Sequence, residues 1–118
     1  GRLSAYCGAV SAGVGAGAGI AYLKGGRFET IAHTVVNAIA VTSGIICDGA
    51  KASCAAKIAA SVDAGLLGLA MFESGNQFFG GDGIVKKGVE NTIATVGKLA
   101  RIGMEQTDKE IIHLMMEA

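Results

Sequence analysis

An all-α fold is what this chain predicts, and three observations carry the prediction. No stretch alternates apolar and polar residues with the period of two that a half-buried strand needs. Apolar residues recur instead at three- and four-residue spacing, most plainly between Val85 and Glu105. The chain has no proline and 19 glycines, and it is 51% hydrophobic with only 5% aromatic residues, so its interior must be built from small side chains that let helix backbones approach closely. At 118 residues it has the size of one domain. The expectation is a single compact bundle, residues 1–118, of about five helices with a Gly/Ala-rich buried core helix.

The first helix is expected within residues 5–23, which carry no charge. That length raises the question of a membrane span. Gly8, Gly13, Gly15, Gly17 and Gly19 dilute its aliphatic content too far, and a buried helix is predicted instead. Gly13/Gly17 and Gly15/Gly19 stand at helical spacing for close packing. Gly25-Gly26 stops this segment. Phe28 to Ile46 reads as a second helix, apolar around most of its circumference and so largely buried. Asp48 is placed as the N-cap of an alanine-rich third helix from Ala50 to Phe72. The glycine-studded run from Ser74 to Gly83 is loop. Val85 to Glu105 forms an amphipathic fourth helix through Val85, Val89, Ile93, Val96, Leu99 and Ala100. Thr107-Asp108-Lys109-Glu110 fits a capping box for a short last helix through Met116.

Charge narrows the function classes. A formal net charge of zero gives no electrostatic case for nucleic acid, an anionic membrane surface or an acidic partner. The first residues lack a basic stretch followed by an aliphatic run, so no signal peptide is expected and a cytoplasmic setting is. There the thiols stay reduced and available for metal or catalysis. The chain opens Gly1-Arg2 rather than with Met, which predicts a piece of a longer polypeptide and part of any active site lying outside it.

Chemistry concentrates in the cysteines. Cys7 lies in Tyr6-Cys7-Gly8-Ala9-Val10-Ser11-Ala12-Gly13, and two more thiols bracket Cys47-Asp48-Gly49-Ala50-Lys51-Ala52-Ser53-Cys54. Three thiols cannot all pair as disulfides. Three is also the number of protein ligands that leaves one iron of a [4Fe–4S] cluster open, where a purely redox cluster ordinarily has four. Gly49 favours Cys47 before the third helix, Asp48 as cap and Cys54 on the second turn. Both sulfurs would then lie near a helix N-terminus, where free amides and the dipole favour thiolate. Three thiolates on a doubly charged cluster sum to minus one, and Lys51, between the cysteines, could supply the neighbouring cation. The competing reading is that the cysteines are buried structural residues acting as small hydrophobes. Zinc is a third choice, since the spacing differs from the C-x2-C of zinc ribbons and bacterial ferredoxins.

Other motifs are weaker. Gly13, Gly15 and Ala18 satisfy a relaxed dinucleotide fingerprint, but no strand precedes them and no acidic residue stands between Glu29 and Asp48 to bind a ribose. Helix packing accounts for these glycines. His33 and His113 read as satisfied helix residues, with His33 a minor candidate for proton transfer. Asp63 is expected as a partner in a buried hydrogen bond, and Lys86, Lys87, Lys98 and Arg101 as a solvated face.

The string Gly44-Ile45-Ile46-Cys47-Asp48-Gly49-Ala50-Lys51, followed by Ser53-Cys54-Ala55, resembles the signature of the L-cysteine desulfidase family. That family was long catalogued as uncharacterised and is related to the α domain of iron–sulfur L-serine dehydratases. The likeness extends to Cys7 with Ser11-Ala12-Gly13-Val14-Gly15, and to the tail from Val89-Glu90 through Gly103-Met104 to Thr107-Asp108-Lys109-Glu110-Ile111. It covers nearly the whole chain, as the C-terminal portion of a protein several times longer. The resemblance implies a [4Fe–4S] cluster on Cys7, Cys47 and Cys54 whose open iron acts as a Lewis acid toward a small amino-acid substrate. The implied reaction is β-elimination of L-cysteine to pyruvate, ammonia and sulfide, or of L-serine to pyruvate, ammonia and water.

Some serine dehydratases place a further cysteine at the extreme C-terminus, whereas this chain ends Met115-Met116-Glu117-Ala118, which leans toward desulfidase. No residue here presents itself as the general base, which the resemblance assigns to the upstream part. Asp48, Lys51 and Ser53 are candidates for contacts around the cluster or to the substrate carboxylate. The partners implied are that upstream part of the same protein and, as an open option, a second copy of the chain. A fragment on its own is expected to be inactive. The out-of-class alternative is a helical structural or interaction domain whose cysteines bind nothing.

Overall fold

Cys7 is where the chain turns from extended to helical. Its backbone (φ −69°, ψ 129°) is still extended, and Gly8 is the first helical residue. The computed structural model describes residues 6–117. Among them run α1 (Gly8–Leu23), α2 (Phe28–Thr42), α3 (Ser53–Glu73), α4 (Val89–Lys98), a π-helical turn (Leu99–Gly103) and α5 (Glu105–Glu117). No strand is present among the described residues, and the protein is an all-α bundle.

Glycine sets how closely the first three helices meet. A Cβ on Gly17 would stand 2.6 Å from the Cα of Gly65, and one on Gly13 would fall 2.3 Å from the backbone of Ser61, so α1 and α3 touch backbone to backbone. Gly13, Gly17 and Ala21 recur every four residues and form one stripe, all buried. Gly15 and Gly19 face open space, so the second predicted packing pair does not pack. Two residues along a helix is about 200° of rotation, and that carries them to the far side.

The second interface repeats the logic. Gly68 of α3 fits against α2, where a Cβ would meet the Thr34 carbonyl oxygen at 2.8 Å. Asn37 is wholly buried beside it. Its Nδ2 donates to the Gly68 carbonyl at 3.0 Å and its Oδ1 accepts from the Phe78 amide at 3.0 Å, joining α2, α3 and the following loop. Burying an amide costs free energy unless its hydrogen bonds are made, and here both ends are satisfied. α3 is therefore the central Gly/Ala-rich helix, with α1 and α2 both packed on it. At 21 residues, with an 18-residue window of mean hydropathy 1.5, it is long and apolar enough to cross a membrane by length and composition, and 28% of that window is buried inside the bundle. Its outer face leaves Ile58, Leu66 and Leu67 exposed.

Three boundaries differ from the sequence expectation. α2 ends at Thr42 rather than Ile46. Ile45 and Ile46 leave the helix and run beside the start of the chain, with an antiparallel bridge between Tyr6 and Ile46 and the Cys7 amide donating to the Ile45 carbonyl at 3.0 Å. β-branched side chains suit that extended geometry better than a helix end. The fourth helix begins at Val89, after Gly88 takes a positive φ of 92°. Val85 is buried but belongs to the loop, which Thr92 fastens to α4 by accepting from the Lys86 amide at 3.1 Å. The last helix starts at Glu105, before Thr107, so the capping box does not form. The Met104 carbonyl accepts the Asp108 amide at 2.9 Å instead.

Candidate functional site

The three cysteines arrive from three different segments at one end of the bundle. Cys7 precedes α1, Cys47 lies in the extended run after α2, and Cys54 sits in the first turn of α3. The Tyr6–Ile46 bridge lays the Cys7 and Cys47 segments side by side. All three thiols are free. Cys7 is buried and the other two are half-buried.

Asp48 is not the helix cap that its sequence position suggested. Ala52 occupies the cap in helical geometry and no side chain caps the end. Gly49 (φ 90°) turns the chain between them, and residues 51–55 enter α3 through tight turns, the Cys54 amide bonding the Lys51 carbonyl at 2.9 Å. That puts Cys54 on the first turn, not the second, and frees the Asp48 carboxylate for other partners. It pairs with Lys51, and with Lys57 at 2.7 Å. Lys51 and Lys57 together hold the Asp48 carboxyl down at about 2, from an ordinary 3.8.

Lys57 is the residue that sequence reasoning missed. Its ammonium donates to the Ile46 carbonyl at 3.0 Å as well as to Asp48. Its side chain is 22% exposed, against 44% for Lys51. Asp48, and after it the nearby Cys7 and Cys54, push its pKa up, so it is a fixed cation and not a proton acceptor at neutral pH. The signal available beforehand was a lysine one turn beyond Cys54 in a helix otherwise almost free of charge. Lys51, the cation the sequence pointed to, is spent on Asp48, contacting both its carboxylate and, at 3.4 Å, its carbonyl.

The remaining candidates fall outside this cluster. Ser53 is the exposed first residue of α3. His33 stacks flat on Phe72, ring centroids 5.0 Å apart. Phe72 is eighteen residues beyond Cys54 on α3, roughly 27 Å along the axis. His33 therefore packs at the other end of the bundle. His113 pairs with Glu117 at 3.1 Å on the exposed face of α5. Asp63 is exposed and does not serve a buried hydrogen bond, while Lys86, Lys87, Lys98 and Arg101 do form an exposed face. Two surface hollows, of about 450 and 460 Å³, lie on α4 and α5, and no cysteine lines either.

Among the described residues no three His, Cys, Asp or Glu side chains stand close enough to hold a single metal ion. A four-iron cluster binds its thiolates on separate irons, so its ligands stand further apart than those of one ion. The donor set suits such a cluster: three reduced thiols on adjacent segments beside a held cation. Cys54 Sγ currently turns into its own loop, accepting from the Lys51 amide at 3.5 Å and donating to the Gly49 carbonyl at 3.4 Å. A change of χ1 would release it.

With that geometry established, residues 1–113 match the family model described as the serine dehydratase alpha chain. The chain belongs to that family. It is 66% identical over 116 residues to a UPF0597 protein of Desulfitobacterium hafniense, covering 98% of this chain and 27% of that one. A UPF0597 protein of Lachnoclostridium phytofermentans is 55% identical over 98% of the chain and 28% of its own length. One from Treponema denticola is 51% identical over 99% and 27%. The chain thus spans about a quarter of the length of these relatives. No solved structure matches it.

Proposed function

We propose that residues 1–118 are the cluster-holding helical unit of a longer iron–sulfur amino-acid lyase, and that its reaction is β-elimination of L-cysteine to pyruvate, ammonia and sulfide. The observation that carries this reading is that the segments bearing Cys7, Cys47 and Cys54 come together at one end of the bundle, where Lys57 is hydrogen-bonded on either side of Cys47 and lies near Cys7 and Cys54. The serine dehydratase relationship supports the lyase class. When bound, a [4Fe–4S] cluster with three protein thiolates supplies an open iron as a Lewis acid toward the substrate's leaving group.

The chain's own residues do the holding. Cys7, Cys47 and Cys54 would be the ligands. Burial of Cys7 keeps water from one side, and the Asp48–Lys57 pair fixes the loop that carries Cys47 to the helix that carries Cys54. Lys51, half-exposed at the rim, would have to leave Asp48 to meet a substrate carboxylate. The base that removes the α proton and the rest of the substrate pocket come from the upstream part of the full-length protein, a cytoplasmic enzyme. Without them this segment alone turns nothing over.

Serine dehydratase activity is the second reading, favoured by the family's description. Anaerobic assay of the full-length protein separates the two. Sulfide release from cysteine well above serine turnover supports desulfidase, and the reverse establishes dehydratase. Cys47→Ala should abolish either activity. Undiminished turnover in that variant would remove Cys47 from the site.

A further inference from the structure

Holding three thiols in one place poses a mechanical difficulty here, because Cys47 lies on an irregular segment. Residues 43–52 form no helix, and their neighbour on one side is the extended start of the chain. Irregular backbone on a surface opens readily unless something ties it down. Cys54 has no such difficulty, since it sits on the central helix of the bundle, which α1 and α2 both grip.

We propose that Lys57 is the positioning residue of the thiol site, its ammonium gripping the Ile46 carbonyl and the Asp48 carboxylate, on either side of Cys47, and so locking that cysteine to the helix that carries Cys54. The distances are 3.0 Å and 2.7 Å. Lys57 is three residues beyond Cys54, so the two share a helix face and the clamp closes one turn from the second thiol. The third segment joins through the same carbonyl run, since Ile45 accepts the Cys7 amide at 3.0 Å and Tyr6 bridges to Ile46. One side chain thereby ties down the backbone on which two of the cysteines depend.

Lys57 is also the better counter-charge. It is half as exposed as Lys51 and so less screened by solvent, and Cys7 and Cys54 both lie near enough to act on it. Lys51 shares the carboxylate of Asp48 but reaches no part of the Ile45–Ile46 run. It can therefore be removed without opening the clamp.

This inference rests on the cluster reading, and its test uses two readouts that fail separately. In the full-length protein, reconstituted without oxygen, the first is the rate of iron loss to a chelator. The second, measured on cluster-free protein, is hydrogen exchange in peptides covering Cys7 and residues 44–48. In Lys57→Met, iron loss should accelerate about tenfold or more, the range seen when groups supporting metal ligands are removed. Exchange in both peptides should rise while that of mid-α3 stays at the wild-type level. Lys57→Arg, which keeps charge and donors, should recover most of both. Lys51→Met should stay within about twofold of wild type, as for an exposed ion pair.

Wild-type iron retention and exchange in Lys57→Met would overturn the proposal, and so would faster exchange with unchanged iron retention. A wild-type protein that takes up no iron contradicts the cluster reading alone. The clamp itself then stands or falls on the exchange data.

Discussion

The two halves of this molecule are held together by different means. α1, α2 and α3 meet backbone to backbone at Gly13, Gly17, Gly65 and Gly68, and bury Asn37, Thr34 and Ser61 between them. α4 and α5 are strung along one side. α4 reaches α2, and α5 has no buried residue and packs on the π turn before it. The 48 × 29 × 20 Å outline reflects this, with a radius of gyration of 14.7 Å where a compact chain of this length would give about 13.5 Å. The thiols sit at the end of the tightly packed half. The packed helices fix Cys54 and the start of α1, whereas Cys47 lies on the irregular run that Lys57 ties down and against which Met115 of α5 rests at Gly49.

The largest test of that contrast places alanine on the two sides of α1. Gly17→Ala drives a methyl into the Gly65 backbone and should destabilise by about 1–3 kcal/mol or more. Gly15→Ala, into open space two residues away, should stabilise by about 0.5–1 kcal/mol through helix propensity. Urea unfolding of the two variants measures both. Equal effects would mean that α1 is not held by a glycine stripe.

Polar burial comes next. Asn37→Ala strands the Gly68 carbonyl and the Phe78 amide, at a cost of about 1–3 kcal/mol. Met115→Ala, on α5, removes a half-exposed thioether side chain whose end rests near Gly49 and should change stability by less than about 0.5 kcal/mol. A comparable loss in both would show the C-terminal half to be as integral as the first.

The smallest effect concerns acid. Asp48 has a depressed pKa, so its ion pairs contribute fully above the ordinary carboxylate value of 3.8, and that contribution is lost as pH falls through about 2. Metal-free Asp48→Asn should show a shallower loss of stability than wild type across that window and the same slope above it. Parallel curves would mean that Lys51 and Lys57 do not hold the carboxylate.

What the sequence made legible follows the same division. Helix existence was readable from periodicity, and the Gly13/Gly17 stripe from its spacing of four. The choice between that stripe and Gly15/Gly19 was not, because both have the same spacing and only the partner helix distinguishes them. The cysteines were identifiable by number and context. The pairing of Tyr6 and Cys7 with Ile45 and Ile46 was hidden, since a single bridge between distant residues leaves no periodic trace. Asp48 read as a cap because its type and place fitted one. The turn at Gly49 and the pull of two lysines, one of them nine residues away, decided otherwise.

The central claim is that the packed half presents three thiols as one cluster site, and the direct measurement is iron and acid-labile sulfide per full-length chain after anaerobic reconstitution. The account predicts about four of each in wild type, as for a [4Fe–4S] cluster, and a loss of both in Cys7→Ala, Cys47→Ala and Cys54→Ala alike. Background iron in the wild type, or full occupancy with any one of these cysteines removed, would contradict it.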